Sequence, residues 1–415
     1  MNTQQDNPDM INQLIANRLR HALWALLAGD ALAAPTHWFY GGFQQIQAIY
    51  GPQGIVNYTQ PTFNLPGSIL NKSNLNGGGR SSRGGIIKRK HKPNVVGDVI
   101  LHGKQDYWAH HRQIHYHATL QAGETTLEGT LCRVLWRNLT STAGRFEAAN
   151  FRQAYIQFMT TPGSHNDTYA STCHRMFFAN LVHHQLDPVD CPDNDNHNVL
   201  TIDGLVLPTV TALTTAAILG HHSKSGDNQG IDDAWQDTVG QAASATVAVT
   251  RKSKALEKAA YHWGVFLGRA LLRSESAGST TVSSLPTLVH LLAHDLDLPR
   301  PPHPRNTLTA CYLDSALPAL LDQLLLASNG QTIWKALLDN ANTGGENVHR
   351  GACLGATLGL FFENENCMDN DGTQAPPLPD FARGLYQAEE IQNEIEAFVD
   401  VVLAARQQYW QTMEK

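Results

Sequence analysis

Thr343-Gly344-Gly345-Glu346-Asn347-Val348-His349-Arg350-Gly351-Ala352-Cys353-Leu354-Gly355-Ala356-Thr357-Leu358-Gly359 is the stretch on which the reading of this chain turns. Ala352, Gly355, Ala356 and Gly359 recur at i, i+3, i+4 and i+7, so a helix here carries a face of very small residues against which another helix can pack closely. Gly344 and Gly345 let the backbone turn sharply into that helix. Glu346 falls at its start, where unpaired N–H groups and the helix dipole favour a carboxylate. A polar cluster thus precedes a buried helix.

The pattern repeats upstream. Gln121-Ala122-Gly123-Glu124-Thr125-Thr126 leads into a helix with Leu127, Leu131, Val134, Leu135 and Leu139 on its apolar face, and Glu124 is expected in the opening turn. Near the N-terminus Ile11, Leu14, Ile15, Leu19, Ala22, Leu23 and Leu26 mark a helix over 11–34. It ends in Ala28-Gly29-Asp30-Ala31-Leu32-Ala33-Ala34-Pro35, then Thr36-His37-Trp38-Phe39-Tyr40. Ser164-His165-Asn166-Asp167-Thr168 sets polar side chains at the mouth of a helix over 169–181, where they suit either an N-cap or a ligand. Further helices are predicted over 146–159, 205–219, 233–250, 254–272, 284–292, 307–326, 332–340 and 380–409. Strand-like alternation is scarce, so the expected class is all-α. The proline-rich breaks at 298–304 and 375–379 read as connections between helices, and 1–415 is expected to form a single domain.

A chain of 415 residues, 42% of them hydrophobic, can bury a large core. Its net charge of -7 argues against a generally nucleic-acid-binding surface. One segment differs: 66–92 holds Asn71-Lys72-Ser73-Asn74-Leu75-Asn76-Gly77-Gly78-Gly79-Arg80-Ser81-Ser82-Arg83 and Lys88-Arg89-Lys90-His91-Lys92. With so little apolar content it reads as a disordered basic insertion, and without interleaved aromatics it does not read as a nucleic-acid site. Six cysteines without a C-x-x-C pair argue against a disulfide framework or structural zinc. The N-terminus lacks a basic n-region with an apolar run behind it, and no stretch approaches the roughly 18 apolar residues of a membrane span, so the expectation is a cytoplasmic protein with no membrane partner. His110, His111, His115 and His117 form a histidine-rich stretch in which His111 and His115 have the spacing of two imidazoles on one helix face, a secondary candidate for zinc.

Gly29-Asp30-Ala31-Leu32-Ala33-Ala34-Pro35 and Gly344-Gly345-Glu346-Asn347-Val348-His349-Arg350-Gly351, followed by the small-residue helix, give the chain its resemblance to the ADP-ribosylglycohydrolase family. That family includes the dinitrogenase-reductase-activating glycohydrolases and the J1 crystallins. The resemblance implies a compact all-α domain in which loops from both ends of the chain meet at one cleft. It also implies a hydrolase that cleaves the bond to the anomeric carbon of ADP-ribose with two magnesium ions.

This chain departs from the family pattern at the metal motifs. His37 stands where a glutamate is usual, and Gly123-Glu124-Thr125-Thr126 corresponds to Thr-Asp-Asp-Thr. In the C-terminal motif the aspartates become Glu346 and Val348, and the last threonine becomes His349. The carboxylates that remain, Glu124 and Glu346, suit one divalent cation better than the magnesium pair, and imidazoles at 37 and 349 shift preference toward softer metals. The expected catalytic residues are Glu124 and Glu346, facing each other as base and electrostatic stabiliser, with His37 or His349 as proton donor. Asp30, Thr125, Thr126, His165, Asn166, Asp167, Thr168 and Asn347 are expected to bind the ribosyl substrate, with Arg350 on a phosphate or in a structural ion pair. Two other readings stand beside this one: a metal-independent glycohydrolase of another nucleoside or ribosyl-like compound, and a catalytically silent binding or structural protein.

Overall fold

After the double glycine, Val348–Leu360 winds into a helix in which every residue is buried. The computed structural model describes residues 8–77, 92–195, 198–220, 234–273, 284–302, 308–362 and 378–413. Its α-helices begin with α1 (Pro8–Ala33), α2 (Gly42–Tyr50), α3 (Leu127–Ser141), α4 (Ala148–Thr160), α5 (Thr172–Ala179) and α6 (Val206–Leu219). They continue with α7 (Ala234–Thr250), α8 (Lys254–Leu271), α9 (Leu285–Asp295) and α10 (Leu313–Ala327). The last are α11 (Ile333–Ala341), α12 (Val348–Leu360) and α13 (Ala388–Met413). Among the described residues only isolated bridges interrupt the helices and no strand forms, so the class is all-α, as the scarcity of alternation predicted.

The small face of α12 meets α1 backbone to backbone. A Cβ on Gly355 would stand 1.9 Å from the Ala25 carbonyl oxygen, and one on Gly359 would stand 2.4 Å from that of His21. Gly29 and Gly351 face each other in the same way, each leaving room for the other's carbonyl. This seam lies inside a hydrophobic cluster that runs from Ile15 to Val402. Around it, α7 and α8 pack on α6, α10 and α11 pack on α12, and α13 lies across α3 and α6. In α13 the buried residues Ile391, Ile395, Phe398, Val399 and Val402 trace the single apolar stripe of an outer helix.

Several expectations need correction. The first part of 66–92 is built into the fold: Leu70 is buried in a 3-10 turn, the Leu75 carbonyl accepts from Val96, and the Asn74 carbonyl accepts from Arg175. The rest of that expected insertion, 78–91, lies outside the described residues. His111 and His115 do not share a helix face, because 109–121 is a series of turns in which His111 is exposed and His115 buried. Helix α10 starts later than expected because Leu313 N–H donates to Leu200 and Ile202 N–H to Cys311, which pairs Tyr312 with Thr201 in an isolated antiparallel bridge just before the helix. Helix α2 was not predicted; only Ile46 is buried in it, too little to leave a stripe. Over Ile202–Leu219 the chain is long and apolar enough to cross a membrane, against the sequence expectation, and 83% of that window is buried inside the protein.

Candidate active site

Two connections from opposite ends of the chain are joined first. Gly344 and Gly345 have φ of +74° and +62°, and a Cβ on either would meet a backbone oxygen, of Phe39 and Thr309 respectively, within 2.6 Å. Trp38 N–H donates to the Gly345 carbonyl at 2.7 Å, and Gly345 N–H donates back to Phe39 at 3.2 Å. This exchange holds Trp38 in the left-handed region, at φ +61°, and sets its side chain beside that of Glu346. Trp38 Nε1–H donates to Glu346 Oε2 at 3.0 Å, and His37 Nε2 lies 3.2 Å from the same oxygen. The other oxygen, Oε1, accepts from His349 Nδ1 at 2.7 Å and from the His349 backbone N–H at 3.3 Å. Glu346 is therefore the acid at the start of α12 that the sequence predicts, and it also ties two histidines together.

The chain of contacts continues inward. His37 Nδ1 is 2.7 Å from His117 Nε2, and His117 Nδ1 is 2.8 Å from Asp167 Oδ1. Asp167 Oδ2 accepts from Leu127 N–H at the start of α3. Beside it, both oxygens of Asp30 are taken by Thr126, one by its N–H at 2.6 Å and one by its hydroxyl at 2.7 Å. Carboxylates from α1 and from the 164–171 connection thus serve the α3 N-terminus. Glu124 turns away from α3 and accepts from Gln121 N–H and Asn166 Nδ2.

Burial and charge set the protonation states. Burial by itself would raise the Glu346 carboxyl, but His349 and then His37 reverse this and hold it well below the usual range. Burial would depress His349, and the adjacent Glu346 charge instead pushes it up to about 10, so it is an imidazolium at neutral pH. Burial lowers His37 to about 4 in spite of Glu346. Asp167 is held low because His117 outweighs its burial, whereas Asp30 is raised to about 6 by burial that the Thr126 bonds only partly offset.

Glu346 and His349 line a cavity of ≈ 560 Å³ together with Trp38, Tyr116, Tyr169, Tyr312 and Asp203. The rings make a continuous wall: Trp38 meets Tyr116 and Tyr169 edge-on at 4.4 and 5.0 Å between centroids. Asp203 is held by a two-point bond to Arg251, at 3.1 and 2.7 Å, and accepts from Ser171 at 2.9 Å. Ser171 also reaches Glu128, which is paired with His174 at 2.8 Å. A second cavity, of ≈ 460 Å³, is lined by Glu124, Thr125, His165, Asn166 and Asp167 and shares no lining residue with the first.

The sequence profile of the ADP-ribosylglycohydrolase family matches residues 12–407. The chain belongs to the ADP-ribosylglycohydrolase family. A solved structure described as an ADP-ribosylglycohydrolase-related protein complex shares the fold, with a TM-score of 0.50 at 15% identity, covering 94% of this chain and 99% of that one. No curated protein matches the sequence. Membership supports glycosidic hydrolysis as the general activity.

Against that family background, the residues expected from the sequence divide. His37, Glu346 and His349 come together, with Asp30 and Asp167 in the buried layer behind them. Glu124 does not face Glu346; it lines the second cavity with Thr125, His165 and Asn166. Thr126 is engaged with Asp30, and the Thr168 hydroxyl is spent on the backbone of Tyr116 and Ala118. Asn347 bonds Thr36 and Ala341, and Arg350 bonds Asn340 and Thr309, so both stabilise the turn before α12 from inside. A magnesium pair of the ADP-ribosylglycohydrolase kind does not fit these residues. Glu124 and Glu346 line different cavities, both Asp30 oxygens are occupied, and Val348 is buried and apolar. Among the described residues, His37, Glu346 and His349 bring their ligand atoms within 4.8 Å of one another, a candidate group for a single divalent ion.

Sequence reasoning did not single out Trp38, Asp203 or Arg251 as site residues, and marked His117 only within the histidine-rich stretch 110–117. Asp203 had a usable signal, since an acid inside the apolar run 199–219 must find a partner when buried. His115 and His117, two apart in a non-helical stretch, are both buried, and a period of two would have picked them out where helical spacing picked His111 and His115.

Proposed function

We propose that this chain hydrolyses a glycosidic bond to the anomeric carbon of a ribosyl group, in an ADP-ribosyl adduct or a related ribosyl compound, within the cavity lined by Glu346 and His349. The observation that carries the reading is a buried carboxylate, in contact with His349, His37 and the Trp38 indole N–H, at the wall of a cavity faced with aromatic rings. Breaking such a bond generates positive charge on the sugar, and a fixed anion beside it lowers the barrier in a water-poor site. Glu346 is too weak a base to activate water efficiently, so its part is that stabilisation. His349 carries the proton. As positive charge develops on the sugar next to Glu346, the carboxylate's hold on the His349 proton weakens, which favours its delivery to the leaving group as the glycosidic bond breaks; water then adds to the anomeric carbon and its proton returns to the neutral His349.

Trp38, Tyr116 and Tyr169 offer flat apolar surface to a planar leaving group or base. That lining suits a second substrate class, a nucleoside or other ribosylated small molecule. A divalent ion held by His37, Glu346 and His349 would displace the His349 proton and supply Lewis-acid polarisation of a sugar or water oxygen in its place. A cytoplasmic setting is part of the proposal and agrees with the free thiols of Cys132, Cys173, Cys191, Cys311 and Cys353.

The test is release of free ADP-ribose or ribose from ADP-ribosylated arginine and serine peptides and from a nucleoside panel. Glu346→Gln is expected to lower kcat by about 100-fold or more, the scale of losing one preorganised charge-stabilising group. Glu124→Gln, in the other cavity, is expected to stay within about twofold, as for a change outside the reacting site. Equal effects of the two substitutions, or no turnover of any ribosylated compound, would sink the proposal.

A further inference from the structure

We propose that the second cavity, bounded by α3, α13 and the connections 101–104 and 161–167, binds a small zwitterion of the α-amino-acid class, with Glu124 receiving its ammonium and Lys104 its carboxylate. This cavity shares no lining residue with the one assigned to hydrolysis, so the two proposals hold or fail separately.

The lining carries charges of both signs, and most of them are already matched. Arg133 pairs with Glu390 at 2.9 Å and with Glu394 at 2.7 Å, and Arg137 lies 3.6 Å from Glu394. Asp167 is engaged by His117 and by Leu127 N–H. His102 meets the Thr160 carbonyl at 3.0 Å, and burial lowers His165 to about 4, which leaves it neutral. Two half-buried charges remain, Lys104 and Glu124, and among the described residues neither forms an ion pair. Lys104 Nζ donates only to neutral oxygens, Thr119 Oγ1 and the Asn166 carbonyl at 3.2 Å each and Asn166 Oδ1 at 3.4 Å, and stands 5.7 Å over the Tyr107 ring. Glu124 accepts at Oε2 alone, from Gln121 N–H at 2.8 Å and Asn166 Nδ2 at 3.1 Å.

Opposite charges in one cavity attract, and the Asn166 side chain holds these two apart. Its Oδ1 faces the ammonium and its Nδ2 the carboxylate, so one amide links both charges and neutralises neither. Charges taken partly out of water gain most from an opposite charge that also hydrogen-bonds. An α-amino acid carries the complementary pair on one carbon, its nitrogen and oxygen spaced like those of an amide, at about 2–3 Å. Laid along Asn166, it gives its ammonium to Glu124 Oε1 and its carboxylate to Lys104, in exchange for the long contact to Asn166 Oδ1. The half-exposed Arg137 guanidinium in the same lining supplies further N–H donors.

The two charges also select against simpler ions. An anion without an ammonium meets Glu124, and a cation without a carboxylate meets Lys104, so each loses at one end what it gains at the other. A volume of ≈ 460 Å³ accommodates an amino acid with its side chain, and Leu101, Met159 and Ile391 supply apolar lining for that side chain.

The experiment measures binding to the full-length protein by calorimetry. The probes are L-leucine, L-methionine and L-glutamine, with two leucine analogues: 3-methylbutylamine, which lacks the carboxylate, and 4-methylpentanoic acid, which lacks the ammonium. At least one amino acid is expected to bind saturably at millimolar concentration, one equivalent per chain. Each analogue is expected to bind at least about tenfold more weakly than leucine, the scale of one lost charge-assisted hydrogen bond. Glu124→Gln should erase the preference for leucine over 4-methylpentanoic acid, and Lys104→Met the preference over 3-methylbutylamine, a crosswise pattern that a merely structural role does not produce. Should a variant misfold, the comparison of leucine with its two analogues on the unmodified protein decides. No saturable binding of any of the three amino acids, or analogues as tight as leucine, overturns the proposal. So do preferences that survive both substitutions.

Discussion

Gly355→Ala tests the packing on which the whole site rests, and its sign alone is informative. Within an exposed helix this change is favourable by about 1 kcal/mol, because alanine loses less backbone entropy than glycine. Here the new methyl would lie 1.9 Å from the Ala25 carbonyl oxygen and 2.6 Å from its carbon. The obstacle is backbone, so no rotamer change relieves it, and α1 and α12 must separate by about an ångström to restore contact distance. Overpacking of this kind costs about 1–3 kcal/mol, and the upper end is expected because Gly29–Gly351 and Gly359–His21 pin the same seam on either side. The net expectation is destabilisation by about 2 kcal/mol after the helix-propensity gain. The assay is urea denaturation followed by far-ultraviolet circular dichroism, with Gly240→Ala as comparison. There the new methyl meets the Tyr261 ring at 2.4 Å, which can swing aside, so a smaller loss is expected. Hydrolysis should fall with Gly355→Ala as well, since α1 leads to His37 and α12 begins at Glu346. A Gly355→Ala protein with an unchanged or raised urea midpoint would refute the close-packed seam.

The other predictions concern protons. Asp30 has its folded pKa raised from 3.8 to about 6, so its contribution is fully present below pH 3.8 and is lost as pH rises through about 6. Relative to Asp30→Asn, the unmodified protein should gain stability on going from pH 8 to pH 5, by about 1.4 kcal/mol; parallel urea curves for the two proteins at both pH values would contradict this. His349, raised from 6.5 to about 10, contributes stability that is complete below pH 6.5 and is lost as pH climbs through 10. His349→Gln should therefore flatten the alkaline fall in stability between pH 8.5 and 10.5, and an identical alkaline profile would remove the imidazolium from the account.

By itself the sequence determined the all-α class, most of the helices, and the pairing of a double-glycine turn with a small-residue helix. It also determined the family resemblance carried by Gly29–Pro35 and Gly344–Gly351. These are local properties: hydrophobic period, small side chains and turn glycines act within a few residues, and each leaves its trace in consecutive letters. Glu346 with His349 was legible for the same reason, because one turn of helix brings them together. Only the tertiary structure decided which charges meet. His37 reaches Glu346 across 309 positions and His117 across 80, and no periodicity encodes such distances. Glu124 looked equivalent to Glu346, since each follows a glycine before a buried helix. The fold sends Glu124 to the second cavity because Asp30 and Asp167 already occupy the N-terminus of α3. A helix N-terminus offers few free N–H groups, and once distant carboxylates have taken them the nearest acid in sequence has to find other partners.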